Sequence, residues 1–278
     1  WVTQPLGASG TKVRTGNVDL WSWTGGLTAL PHIDLERVIE LTGAPDDRSD
    51  DGVYTARFDA SGNPYVPVIE DDAGNGVRII DFAPRYPLFE RMLHPAQIIR
   101  RIEPIGLPRI KIRVRPTFDY GAPRAAQVEG SNHIRYSGGN TTIRLTTDAP
   151  LSYIVHETSF AMSHPMTLVF GPDESLGSAA DTVSREALQR TRDYWMSWVR
   201  GLAVPLDRQT DVIRAAITLK LCTFEETGAI VAAHTTSIPE APFTQRNWDY
   251  RYCWLRDAYF VIMALNRLGA TRTMESYL

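Results

Sequence analysis

Cysteine is scarce. Cys222 and Cys253 are the only two thiols in 278 residues, which excludes a disulfide framework and a cysteine-based zinc site. Each sits in an apolar or aromatic helical context and reads as a small buried hydrophobe, with a reducing, cytoplasmic setting as the corollary. Long apolar runs are missing as well: nothing approaches the roughly 20 consecutive apolar residues of a membrane span. Trp1–Gly10 lacks the charged-then-apolar order of a secretory leader, so a soluble protein with no membrane partner is expected. The chain has no excess of positive charge either. Its net charge is −3 with scattered basic residues, which argues against a nucleic-acid partner. Arg109–Arg115 alternates its charges with Ile110, Ile112 and Val114, the pattern of a strand with one solvated face. Repeats, a Walker loop and a Rossmann glycine fingerprint are absent. The six histidines, His32, His94, His133, His156, His164 and His234, show no paired ligand spacing, so neither metal nor cofactor is expected.

What is present is an ordinary globular composition, 43% hydrophobic and 22% charged, ample for a core. Residues 1–180 read as β structure: short segments rich in Val, Ile, Tyr, Phe and Thr, broken by turn chemistry at sandwich-like intervals. Strands are expected over Val53–Ala60, Val77–Phe82, Gln97–Ile102, Arg109–Arg115, His133–Ser137, Thr141–Thr146, Leu151–His156 and Met166–Phe170. The Asn75-Gly76 pair before Val77 is favoured in tight hairpins. One early helix is expected over Leu35–Leu41, capped by Asp34 and stopped by Gly43.

The texture changes at Gly171, and residues 181–278 read as helical. Thr182 or Ser184 caps a helix running to about Arg200, with Leu188, Trp195, Val199 and Leu202 on one side. A second follows Asp207 and aligns Val212, Ala215, Ala216, Leu219 and Cys222. The third starts near Asp257, with Phe260, Val261, Ala264, Leu265 and Leu268 on one face and Gly269 as its stop. Three amphipathic helices alone leave apolar faces unpartnered. The chain therefore reads as truncated, or as completed by another polypeptide or a second copy.

The densest polar and aromatic run is Arg246-Asn247-Trp248-Asp249-Tyr250-Arg251-Tyr252-Cys253-Trp254-Leu255-Arg256-Asp257-Ala258. Two explanations fit it. Its Arg and Asp residues form internal salt bridges, with Asp257 capping a helix; or they grip a polar ligand with apolar faces. A pyranose is such a ligand, because its C–H face stacks on Trp or Tyr while its hydroxyls need both donors and acceptors. Asp257 at a helix N-terminus would be held ionised.

This run, with Leu219–Ala233 and Thr235–Glu240, resembles bacterial members of glycoside hydrolase family 15, which includes glucoamylases, glucodextranases and trehalases. Asp81-Phe82-Ala83-Pro84-Arg85 and Leu145-Thr146-Thr147-Asp148-Ala149-Pro150-Leu151 are similar to the β-sandwich that precedes the barrel in these proteins, whereas Gly16–Trp23 matches the early family turn only loosely. The resemblance implies an N-terminal antiparallel β-sandwich followed by the first helices of an (α/α)6 barrel. It implies that Trp254, Arg256 and Asp257 line the subsite for a terminal glucose and that Tyr250 lies close to the reacting sugar. Family hydrolysis is inverting, and its two catalytic glutamates are expected beyond Leu278. Glu225 and Glu226 read as surface charges at a helix end, and neither Glu240 nor Glu275 matches the family's acid or base.

The function implied is an exo-acting α-glucoside hydrolase acting on α-glucan, isomalto-oligosaccharide or trehalose. A sugar phosphorylase or glucosyltransferase of similar architecture, and a noncatalytic carbohydrate-binding fragment, remain as alternatives.

Overall fold

The computed structural model describes residues 11–14, 39–41, 53–58, 67–71, 73–118, 125–224, 226–233, 245, 250–275 and 277, with side chains from residue 73 onward. Two compact units emerge: residues 1–84 with 95–188, and residues 85–94 with 189–278.

The first unit is antiparallel β structure. Its strands are β1 (Thr11–Arg14), β2 (Ile39–Leu41), β3 (Val53–Phe58), β4 (Pro67–Asp71) and β5 (Gly76–Phe82). After a hairpin of the second unit, β6 (Tyr86–Leu88) and β7 (Arg91–Leu93), come β8 (Ile98–Ile105), β9 (Arg109–Ile112), β10 (Ala126–Glu129), β11 (His133–Gly138) and β12 (Thr141–Thr147). A short helix α1 (Leu151–Val155) precedes β13 (Phe160–Ala161) and β14 (Met166–Pro172). Nine strands form one sheet in the order β1-β3-β4-β5-β8-β14-β12-β11-β10, and three form a second, β13-β9-β2.

Alternation builds the core. Val77 and Ile79 of β5, Ile102 of β8, Ile134 and Tyr136 of β11, Ile143 and Leu145 of β12 and Leu168 of β14 share one buried cluster with Ile110 and Ile112 of β9. Each fully buried Ile or Leu contributes about 1.5–3 kcal/mol. On β9 the intervening Arg109 is exposed and Lys111 half-buried, the alternation expected of this strand. Across the β4–β5 turn the left-handed residue is Gly74 (φ 80°), while Asn75 Oδ1 accepts the N–H of Leu107 at 3.1 Å.

Several expectations are corrected. Ile39–Leu41, the end of the predicted early helix, is a strand paired with Ile110–Ile112 of β9; its apolar ends fit alternation better than a capped helical turn. Residues 34–38 and the Gly16–Trp23 segment lie outside the described residues. Leu151–His156, predicted as a strand, is mostly helix α1. Pro150 starts it, the Tyr153 N–H bonds Pro150 O at 3.1 Å, and Ile154 is buried with Leu151 and Val155 packed on the same core.

Charges hold the sheet at two levels of burial. Asp81 and Arg100 face each other across β5 and β8 and form a two-pronged pair at 2.6 Å, with side chains 15% and 5% exposed. Near the surface, Arg101 bonds Asp181, and Arg113 and Arg115 converge on Glu157. Bonding from Arg101, opposed by desolvation and reinforced by Arg185, holds the Asp181 carboxyl below its ordinary range. For Glu157 burial works the other way, but Arg115 and Arg113 together outweigh it and lower its pKa.

The second unit contains the β6–β7 hairpin, the part of α2 (Ala180–Arg200) from residue 189, α3 (Gln209–Leu221), α4 (Leu255–Arg267) and α5 (Thr271–Glu275). Helix α2 begins at Ala180, ahead of the predicted Thr182 or Ser184 cap, and Ser184 is fully buried. The Ala203 N–H bonds Leu268 O at 2.8 Å, and Gly269 (φ 73°) ends α4 as expected. Helix α4 buries Ala258 and Leu265 completely. Phe260, predicted on the same face, is 64% exposed, because two residues beyond Ala258 is roughly 200° around the helix. At the hairpin tip Phe89 (φ 46°) and Glu90 (φ 65°) are both left-handed, a conformation costing about 1–3 kcal/mol per non-glycine residue. No described helix is long and apolar enough to cross a membrane.

Asp81→Ala should cost about 3–5 kcal/mol in urea unfolding, because it strands a buried guanidinium; the double change to Asp81→Leu and Arg100→Met should recover most of that loss. A loss below about 1 kcal/mol would show that Arg100 is solvated in its place. Asp181 and Glu157 both have depressed pKa values, so their contribution is complete above the ordinary carboxyl range and is lost as pH falls through their lower folded values. Melting temperature should accordingly drop on acidification below about pH 4, and less steeply in Asp181→Asn.

Candidate functional site

The site is assembled on the loop that follows α3. Gly228 adopts φ 70° and closes a turn in which the Phe224 N–H bonds Ala229 O at 2.8 Å and the Gly228 N–H bonds Phe224 O at 2.7 Å. The returning strand bridges Ile230 to Thr223. It then meets the chain ahead of α4: the Ala232 N–H donates to Tyr252 O at 3.1 Å, and the Ala233 N–H to Tyr250 O at 2.9 Å. Beneath lies an apolar cluster of Cys222, Ile230, Val231 and Ala258, with Val261, Ile262 and Tyr277 packed against it. Ala258 has no exposed surface, so the first turn of α4 cannot rotate without breaking this contact.

The four predicted residues come together at that turn and in the segment leading into it. Tyr250 and Trp254 have ring centroids 6.1 Å apart at 32°. The Arg256 guanidinium lies 5.3 Å from the centre of the Trp254 ring, within cation–π range. Arg256 Nε and Nη2 donate to Asp257 Oδ2 at 3.2 and 3.0 Å. Asp257 stands in the first turn of α4, where the helix dipole favours a carboxylate. No side chain caps this helix, so the capping role considered for Asp257 is not the one it plays.

Both sequence explanations can now be compared with the geometry. Arg256 and Asp257 do pair, but the pair is open to solvent, with side chains 68% and 31% exposed. Both guanidinium nitrogens use one oxygen, and Asp257 Oδ1 and Arg256 Nη1 carry no protein hydrogen bond among the described residues. The array therefore offers a free acceptor, a free donor and two tilted aromatic rings at one helix end. Residues 246–249 and 234–240, including Trp248, Asp249, His234 and Glu240, lie outside the described residues, as does Glu225.

Other side chains are placed differently from expectation, or were not foreseen. Cys222 is buried, which raises its thiol pKa, whereas Cys253 is exposed. Glu226 is an exposed surface charge as expected, but it bonds His94 at 2.6 Å, a contact across 132 residues that no local pattern announces. Glu275 is exposed on α5.

Residues 207–278 match the profile of glycosyl hydrolases family 15. The chain is 32% identical over 189 residues to a trehalase of Thermoplasma acidophilum, covering 66% of this chain and 32% of that protein. It is 37% identical over 107 residues to a trehalase of Mycobacterium tuberculosis, 38% of this chain and 15% of that one. Trehalase 1 of Sulfolobus acidocaldarius is 27% identical over 172 residues, 60% and 29% of the two chains. The chain thus spans about a third or less of the length of these relatives. No solved structure matches it. The segment that carries Tyr250, Trp254, Arg256 and Asp257 lies wholly inside the residues that match glycosyl hydrolases family 15.

Proposed function

We propose that the intact protein is an inverting, exo-acting α-glucoside hydrolase that releases terminal glucose, with trehalose as the first substrate to test and α-glucans and isomalto-oligosaccharides as the wider class. The observation that carries this is the solvent-open Arg256–Asp257 pair flanked by Trp254 and Tyr250 on the first turn of α4. In this reading Arg256 donates to ring hydroxyls, Asp257 accepts from them, and the rings stack on the C–H faces of the sugar. The trehalase names of the relatives support the choice of trehalose.

These four residues bind; they do not perform the proton transfers. An inverting reaction takes a carboxylic acid to protonate the leaving oxygen and a carboxylate to activate water, with carboxyls roughly 6.5–9.5 Å apart. In the proposed protein both lie beyond residue 278, and no cofactor takes part. Residues 1–180 form the leading β-sandwich and 181–278 begin the (α/α)6 barrel. Leu255, Tyr259 and Met263, 79%, 57% and 36% exposed, are where the rest of that barrel packs, whether from the same chain, a complementing polypeptide or a second copy. The unpaired Cys222 and Cys253 suit the cytoplasm.

A panel of α-glucosides with the intact protein tests the reading: free glucose should appear without a requirement for phosphate, the attacked unit initially as the β-anomer and, from trehalose, the departing glucose as the α-anomer. Glucose 1-phosphate as the product would transfer the site to a phosphorylase. Arg256→Ala and Asp257→Ala should each lower kcat/KM by about one to two powers of ten, the value of a charged hydrogen bond, with melting temperature nearly unchanged because the pair is exposed. Wild-type kinetics in either variant would remove the assignment. Ala258→Leu should instead cost about 1–3 kcal/mol of stability by overpacking the cluster beneath the site, read as a lower urea midpoint.

A further inference from the structure

We propose that the cleft between β11, α1 and the chain leaving β9 binds one neutral, hydroxyl-rich ring of hexose size, with the Tyr136 hydroxyl as the bonding group at its depth. This site lies within the first unit and goes beyond the hydrolase reading, on which it does not depend.

The space and its one unanswered group come first. A cavity of about 140 Å³ opens beside Tyr136, with buried Pro116 and Ile154 at its depth and exposed Arg115 and Gln127 at its mouth. Roughly 10–15 Å³ holds one water, so a ligand of about ten non-hydrogen atoms has room there. Tyr136 is 2% exposed, and its ring sits in the core with its centre 6.3 Å from that of Phe170. The hydroxyl makes no protein hydrogen bond among the described residues, yet it is not among the polar atoms sealed away from solvent. A phenol this buried finds a partner in native proteins, and the cavity is the place left for one. Burial, with a smaller contribution from Glu129, pushes its pKa up. It therefore meets the cavity as a neutral group that both donates and accepts.

Register supplies a second group of the same kind. Gln127 of β10 is the direct antiparallel partner of Tyr136 on β11, so the two side chains leave the same face of the sheet. The Gln127 amide also has no protein hydrogen bond among the described residues, and it too offers a donor and an acceptor.

The charges decide the ligand class. Arg113 and Arg115 both bond Glu157, whose left-handed backbone (φ 50°) follows the end of α1. An anion would have to compete with this carboxylate for both arginines. An apolar molecule would leave the Tyr136 hydroxyl desolvated and unpaired, which is costly. A ring whose hydroxyls need donors and acceptors answers Tyr136 and Gln127 together, while its C–H face meets Pro116, Ile154 and Val155.

The test follows the intact protein, labelled with fluorotyrosine, by fluorine NMR, with the Tyr136 signal assigned by its loss in Tyr136→Phe. Glucose should shift that signal saturably, with a Kd on the order of 1–30 mM, and Gln127→Ala should raise the Kd about 3- to 10-fold. The shift should persist in Asp257→Ala, which separates it from binding at the first turn of α4. Without sugar, Tyr136→Phe should melt no lower than wild type, because the hydroxyl it removes is unpaired. No shift up to about 100 mM glucose would overturn the proposal and leave the cavity to water. A response to inorganic phosphate but not to glucose would make the cleft an anion site instead, and a shift lost in Asp257→Ala would assign the signal to the other site; either result ends the proposal. Glucose release is not part of the readout, so failure of the hydrolase reading leaves the outcome legible.

Discussion

Two backbone hydrogen bonds, from Ala232 to Tyr252 and from Ala233 to Tyr250, carry the geometry of the candidate site. They lay the strand that leaves α3 beside the approach to α4, and so fix where that helix begins. Once it begins at Leu255, its period places Ala258 inward over Ile230 and Val231 and turns Arg256 toward solvent. The small side chain at 258 lets the helix come this close; a larger one would lift the turn and the charged pair with it. The placement of the charged pair is therefore a consequence of packing one residue away.

Much of this was legible in the sequence, for identifiable reasons. Periodicity located α3, α4 and most strands, because alternating or three-and-four spacing reports directly which face is buried. The four candidate residues could be named because they fall within one short run, Arg246–Ala258, that resembles a family motif. What failed was context. Leu151–His156 is β-rich in composition, but Pro150 and the buried Ile154 make it helical. Ile39–Leu41 follows a plausible cap, yet its partner is β9, some seventy residues away. Phe260 is apolar and sits on an otherwise well-read helix, but faces outward. Cys253 was read as buried from the company it keeps and is exposed. The error at Ile39–Leu41 concerns a tertiary partner that a local window does not contain. The bond between His94 and Glu226 belongs to the same class.

One pair of residue types serves opposite ends in this chain, and burial decides which. Asp81 and Arg100 share two bonds at 2.6 Å with almost no exposed surface, so each is committed to the other and the cost of separating them is high. Arg256 and Asp257 meet through a single oxygen at 3.0 to 3.2 Å with the guanidinium largely in water. Pairing there is worth little, and for that reason a ligand can replace it at small cost. Asp257 has a partner that leaves Oδ1 open, whereas Asp81 has spent both oxygens on Arg100. The two Arg–Asp pairs thus differ in commitment because one spans two core strands and the other sits on the first turn of a helix.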